Sequence, residues 1–208
     1  NSVLCRAALA PTSGTTLINP SSFTILRLGS GALALMLLFQ IKQLSSKHLS
    51  ASGSPKSSKA NRGSWRGALA LFVYALCFSY AYVELKTGMG ALILFGSVQI
   101  TMVLASVFAG QKLHPTELSG VVLAFFGFVY LVSPGLSAPP LFGSLLMSLS
   151  GVAWAVYTLL GRNSTSPFDD TTFNFLRTLP LVIIALLLTL NLLHITMHGA
   201  LLAVLSGT

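Results

Sequence analysis

An all-α, polytopic membrane bundle is the fold class this sequence predicts, and three observations predict it. Of its 208 residues 53% are hydrophobic and only 8% charged. An ordinary soluble domain carries about 25% charged residues, so a soluble fold of this size could not cover its surface. Apolar runs recur at the roughly 20 residues that carry a helix across the hydrocarbon core, and the polar residues gather between them. The lysines and arginines, finally, fall almost wholly into alternate connections. A mean hydropathy of +0.80 fits the same class.

Residues 1–9 read as the tail of a first helix, and the uncharged stretch APTSGTTLINP after it is rich in turn formers. Helix 2 covers 21–41, with Ser21 or Ser22 placed to cap it. A serine-rich basic segment, 42–66, leads to helix 3 at 67–85. LKTG is a tight turn, so helix 4 at 88–109 returns antiparallel to helix 3. GQKLHPTE precedes helix 5 at 118–132, which is short for a span and takes in flanking residues. SPGLSAPP is another turn, because a proline inside a helix removes a hydrogen bond and clashes with the preceding turn. Helix 6 covers 141–160, GRNSTSPFDD is a polar loop, helix 7 covers 172–193, and HITMH opens helix 8. Both ends look cut, leaving seven to eight helices in view.

Successive loops must alternate sides. Those after helices 2, 4 and 6 hold Lys42, Lys47, Lys56, Lys59, Arg62, Arg66, Lys112 and Arg162, whereas those after helices 1, 3, 5 and 7 hold only Lys86. That bias puts the 42–66 segment in the cytoplasm. It also accounts for much of the net charge of +8. With no aromatic platform beside the basic segment, nucleic acid is not expected as a partner; the lipid bilayer is. Cys5 and Cys77 lie in separate apolar runs with neither disulfide nor metal spacing, and read as packing residues.

Helix 2 opens SSFTILR at Ser21 and helix 7 opens TTFNFLR at Thr171. Helices 3 and 8 both open GAL, at Gly67 and Gly199, and VLCR ending helix 1 echoes LLGR ending helix 6, which matches Arg6 with Arg162. The matched helices stand five apart, an odd number, so the copies enter the membrane from opposite sides. Inverted repeats recur in secondary transporters, with the substrate site near the midplane between the halves.

NSVLCR, SSFTILRLGSGAL, GALILFGSVQITM, GQKLHPTELSGVVLAFFGFVYL and GVAWAVYTLLGR together resemble the EamA-type branch of the drug/metabolite transporter superfamily, over essentially the whole chain. The run from 90 to 102 and the glycine-containing helix 5 are the most specific part. The resemblance implies ten helices in two inverted five-helix repeats. A first repeat would occupy 1–134, with its first helix incomplete, and the start of a second 141–208. It further implies export of a small metabolite, amino-acid-like or drug-like, across a bacterial inner membrane, without a cofactor. Family members often carry Glu after the glycine that ends helix 4, where this chain has Gln111.

Candidate pathway residues follow from helical spacing. Tyr74, Cys77, Tyr80 or Ala81, and Glu84 share a face of helix 3. Tyr74 and Tyr80 are taken as cavity-lining candidates, with an interfacial aromatic belt as the structural alternative. Gln99 and Thr101 sit mid-helix, where a polar group must find a partner; Gln99 would meet substrate or join two helices. Trp154 and Tyr157 on helix 6 are further cavity candidates that packing could also explain. Arg27 and Arg177, one in each matched segment, are anchors for a substrate carboxylate or gating partners. Both lie near helix ends, where snorkelling to the headgroups or a structural hydrogen bond is the favoured alternative, because charge at mid-bilayer costs ~2.5 kcal/mol or more. Small residues at Ser148, Gly151, Ala155 and Thr158 in helix 6, and at Gly120, Ala124 and Gly127 in helix 5, would let helices approach closely.

Other functions find less support. Glu84, Glu117, Asp169 and Asp170 all fall at ends or loops, so no helix core offers a carboxylate for proton coupling. No phosphate-binding Gly-Lys-Ser loop appears. His194 and His198 have the i, i+4 spacing of metal ligands but no accompanying acid, so neither a metal site nor an intramembrane enzyme is expected. A non-transporting scaffold or sensor on the same repeat is the alternative of another class. The orientation is testable at the sequon Asn163-Ser164-Thr165, which should stay bare in a glycosylating host; sugar attached there would reverse the assigned sidedness.

Overall fold

A computed structural model describes residues 1–9, 17–49, 63–110, 115–132, 139–190 and 195–208, without the side chains of 46–49, 117, 118, 124, 128, 131 and 132. Eight helices lie in these residues: α1 (Ser2–Leu9), α2 (Pro20–Leu49), α3 (Trp65–Glu84), α4 (Thr87–Phe108), α5 (Pro115–Val132), α6 (Leu141–Gly161), α7 (Pro167–Thr189) and α8 (Met197–Gly207). Five of them (α2, α3, α4, α6 and α7) are long and apolar enough to cross a membrane. Ile18 and Ile195 form an isolated antiparallel bridge. Gln111, Lys112, Lys56, Lys59, Arg62 and His194 lie outside the described residues.

Two boundaries differ most from the periodicity. The α2 helix runs on to Leu49 rather than ending at 41, because KQLSSKHL contains neither Gly nor Pro and Lys42 pairs with Asp169 at 2.8 Å. The α7 helix starts at Pro167 rather than 172. Proline at the first helical position costs no hydrogen bond, and Asp169 and Asp170 in the first turn suit the positive end of the helix dipole.

The central element is α3, which packs against α1, α2, α4, α6 and α7. Its sequence, small and aromatic residues on every face, makes that possible: Gly67, Ala68, Leu71, Tyr74, Ala75, Phe78, Ala81 and Tyr82 are all buried. Ser64 caps it, accepting a hydrogen bond from the Gly67 amide at 3.0 Å, an interaction typically worth ~1 kcal/mol. Thr196 caps α8 the same way through Gly199 at 3.2 Å, so both GAL openings carry the same hydroxyl cap three residues upstream.

The α2 and α7 helices run antiparallel. Lys42 at the far end of α2 meets Asp169 at the start of α7, and Phe39 packs edge-on against Phe173 at 5.6 Å. Nearer the start of α2, a Cβ on Gly31 would lie 2.8 Å from the Phe175 ring. Exchange α1 with α6, α2 with α7 and α3 with α8, and other contacts map onto each other. The α3–α6 pair becomes α8–α1, and α3–α7 becomes α8–α2; all four pairs pack.

Close approach in α6 rests on Gly151, where a Cβ would lie 2.7 Å from Ser97 Cβ and 2.8 Å from the Leu94 carbonyl of α4. Ala155 is buried too, but Thr158 is exposed and donates back to the Trp154 carbonyl. In α5, a Cβ on Gly120 or Gly127 would meet nothing within 4 Å, so these glycines do not mark a tight crossing among the described residues.

Two outcomes are expected. Gly151→Ala should destabilise the detergent-solubilised protein by roughly 1–3 kcal/mol, the usual cost of overpacking against an unyielding backbone, read as a lower thermal midpoint. In a Phe39→Cys/Phe173→Cys variant, a short bifunctional thiol reagent should join α2 to α7 within one chain; the native Cys5 and Cys77 are buried and will not compete. Failure to cross-link would contradict the antiparallel pairing.

Candidate functional site

One end of the bundle is packed shut. It gathers the start of α2, the end of α3, the start of α6 and the end of α1, with Phe23, Phe78, Tyr82, Leu85, Met147 and Leu9 all at most 1% exposed. Several polar groups there are paired, although Ser22 Oγ is buried without a hydrogen-bond partner. Arg6 donates to the Tyr82 and Val83 carbonyls at 2.8 and 2.9 Å, covering the end of α3. Ser21 Oγ meets the Tyr80 hydroxyl at 2.6 Å, and Thr24 Oγ1 donates to Ser79 Oγ at 2.8 Å. Glu84 accepts from the Gly143 amide at 3.0 Å.

Toward the other end lie two adjoining cavities, each of about 340 Å³. The inner one is lined by Arg27 and Leu28 of α2, Leu71, Tyr74 and Ala75 of α3, Trp154 and Tyr157 of α6, Thr171 and Phe175 of α7, and Ser206, Gly207 and Asn1. The outer one is lined by Gly63, Ser64, Gly161, Ser164, Pro167, Asp170 and Asn174, and shares Tyr157 and Thr171 with the first. It opens among the connections at the end that carries the basic segment.

The outer rim is built by hydrogen bonds onto α7. Asp170 accepts from the Gly63 amide at 2.9 Å and from Ser164 Oγ at 2.5 Å, while Asn174 Oδ1 accepts from the Ser64 amide at 2.8 Å. Gly63 has φ 65, and a Cβ there would lie 2.6 Å from Asn174 Oδ1, so both conformation and space call for glycine.

Arg27 dominates the inner cavity. It is 7% exposed. Its guanidinium lies 4.9 Å from the Phe78 ring centre and 5.5 Å from that of Tyr74. Nη2 donates to the Tyr74 hydroxyl at 3.2 Å, and Nη1 is buried without a hydrogen-bond partner. Rather than snorkelling, the side chain turns inward between α2 and α3, where two ring faces receive it and the Tyr74 hydroxyl supplies the structural hydrogen bond that the sequence reading offered beside snorkelling. Trp154 stands 4.7 Å from the Tyr74 ring and 5.6 Å from Tyr157, forming an aromatic wall.

Of the sequence candidates, Arg27, Tyr74, Trp154 and Tyr157 thus come together, and Tyr80, Gln99, Thr101 and Arg177 do not. Tyr80 turns to Ser21 at the closed end, since Ala81 rather than Tyr80 continues the buried face of α3. Gln99 is exposed on α4, beside an apolar groove against α5 lined by Val121 and Phe125. Thr101 donates to the Ser97 carbonyl of its own helix at 2.7 Å. Arg177 is half-buried, 5.9 Å from the Trp65 ring centre.

Sequence reasoning missed Asn1, Thr171, Phe175 and Ser206. The repeat could have found two of them. Tyr74 lies seven residues past Gly67 and Ser206 seven past Gly199, while Tyr157 lies five before Arg162 and Asn1 five before Arg6. All four line the inner cavity.

The EamA-like transporter family matches residues 3–133 of this chain. An "uncharacterized protein" of Pseudomonas aeruginosa is 47% identical over 207 residues, covering 100% of this chain and 67% of the relative. Two proteins of Archaeoglobus fulgidus, each described as an "uncharacterized transporter", are 34% identical over 110 residues and 24% over 106; the matches cover about half of this chain and 38% of each relative. No solved structure matches.

The cavity's charge can be read optically. With Trp65→Phe, Trp154 is the one remaining tryptophan. Iodide should quench its emission more strongly than caesium because the guanidinium concentrates anions; equal quenching would contradict a cationic cavity.

Proposed function

This chain belongs to the EamA-like transporter family, and from that premise we propose that it is a secondary transporter that moves a small metabolite, amino-acid-like or drug-like, out of a bacterial cell across the inner membrane. The observation that carries this reading is the inner cavity itself, bounded by helices from both matched segments, closed by aromatic packing at one end and continuous with a polar vestibule at the other.

Residues 1–134 form one half in this reading, and 141–208 begin an inverted second half. Inversion supplies the mechanism. Two similar packings of one architecture, each opening the cleft to one side, allow alternating access around a fixed site. With 42–66 in the cytoplasm, the present arrangement faces inward, ready to load a substrate for export. The hydrogen bond between Ser21 and Tyr80, the pair formed by Thr24 and Ser79, and the hold of Arg6 on the end of α3 keep the outer side shut. Opening would break them and close the vestibule around Asp170. Interhelical hydrogen bonds of this kind average ~0.6 kcal/mol in membranes, small enough for two states to interconvert.

Vesicles reconstituted with the full-length protein should accumulate or release members of a metabolite panel under an imposed gradient. A Ser21→Cys/Tyr80→Cys variant bridged by a bifunctional thiol reagent should lose that flux and regain it when a cleavable bridge is reduced. Flux that persists through the bridge would contradict alternating access, and no flux for any compound under either gradient would sink the transport reading.

A further inference from the structure

We infer that the inner cavity is an anion site whose ligand is a monocarboxylate with a flat or short apolar body, held by Arg27 Nη1 and the Tyr74 hydroxyl. The inference rests on the transport reading for the ligand's movement, though not for its binding.

The argument begins with unequal use of the guanidinium. Arginine carries five N–H donors in a fixed fork and is always charged. Nη2 bonds to Tyr74 and the π-faces of Phe78 and Tyr74 receive part of the charge, yet Nη1 is buried and unpaired on a side chain that lines the cavity. A guanidinium retained only for packing could be replaced without loss by an apolar side chain of similar volume, and leaving a charged donor unsatisfied is expensive. The Tyr74 hydroxyl accepts from Nη2, so its own proton is available to a second acceptor. Two donors on one side of a cavity match the two oxygens of a carboxylate.

Charge count narrows the class. Among the described residues lining this cavity, Arg27 is the one charged side chain; the other polar groups are the hydroxyls of Tyr74, Tyr157, Thr171 and Ser206 and the amide of Asn1. One cation balances one negative charge. A phosphate monoester, carrying roughly −1.5 to −2, would stay undercompensated. A zwitterion would bring an ammonium group to a site with no carboxylate, and a cation would meet Arg27 directly. The rest of the ligand must suit the wall formed by Trp154, Tyr157 and Phe175, which favours a ring or short hydrocarbon. A volume of about 340 Å³ lies at the small end of ligand pockets, roughly 300–1,000 Å³.

The probes are four compounds of one shape: benzoate, benzamide, phenylalanine and benzylamine. Binding to the full-length protein in lipid-free detergent, followed through Trp154 emission in the Trp65→Phe background, should rank benzoate first and benzylamine last. Arg27→Gln should weaken benzoate at least about tenfold, as expected for loss of a charge-assisted hydrogen bond, and leave benzamide unchanged. Independently of any effect of Arg27→Gln on folding, the comparison of benzoate with benzamide on the unaltered residue stands by itself: equal affinities overturn the anion site. Trp154→Ala, followed by calorimetry, should weaken benzoate more than acetate; equal loss overturns the assignment of the apolar wall. Displacement of benzoate by phosphatidylglycerol at lower concentration would assign the site to a lipid headgroup and overturn the proposal. In vesicles the two readings separate. Benzoate that binds through Arg27 but is not moved supports the site and sinks transport; benzylamine moved regardless of Arg27 supports transport and sinks the site.

Discussion

The crossing of α2 and α7 is the contact on which the rest of the bundle depends. Inside lipid, apolar side chains gain little by leaving one hydrocarbon environment for another, so helices associate through close packing and polar contacts. This pair uses both. Gly31 admits the Phe175 ring to the α2 backbone, Phe39 meets Phe173, and Lys42 reaches Asp169 where the helices end. With the two helices held antiparallel, α3 is seated beside α7 through Asn174 and α8 beside α2 through Gly207 and Ser30. The remaining volume between these pairs is the inner cavity.

Arg27 then acquires an environment unlike that of any other cation in the described chain. The guanidinium is weakly hydrated and planar, so two ring faces and a hydroxyl can replace much of its water. The price of burial, several kcal/mol for an unaided charge, is offset in part by Tyr74 and Phe78 and left incomplete at Nη1. That incompleteness distinguishes Arg27 from Arg6, whose Nη1 donates to two carbonyls at the closed end. The two arginines thus differ: Arg6 covers the end of a helix, whereas Arg27 keeps Nη1 without a hydrogen-bond partner.

Polarity is also distributed unevenly along the bundle. The closed end holds large rings and short hydroxyl pairs, a combination that excludes water. At the vestibule, a carboxylate and an amide on α7 organise the start of α3 through backbone amides. Between them, the aromatic wall of Tyr74, Trp154 and Tyr157 lies beside Arg27, and Tyr157 and Thr171 line both cavities.

Much of this was legible in the residues before any contact was known. Length and apolarity identified the spans, and the likeness of SSFTILR to TTFNFLR pointed to helices of opposite sense, as α2 and α7 are. Those signals are local or additive, since each residue's transfer free energy and each cap acts within a turn or two of its own position. Tyr74, Trp154, Tyr157 and Arg27 could each be nominated, but not joined, because their meeting depends on side-chain directions from three helices. For the same reason Arg27 and Gln99 could not be told apart as inward and outward polar groups: periodicity within one helix says which residues share a face, and only packing between helices says what that face meets. Sequence determined the class and the spans; tertiary structure alone decided that a guanidinium would be enclosed with Nη1 unpaired.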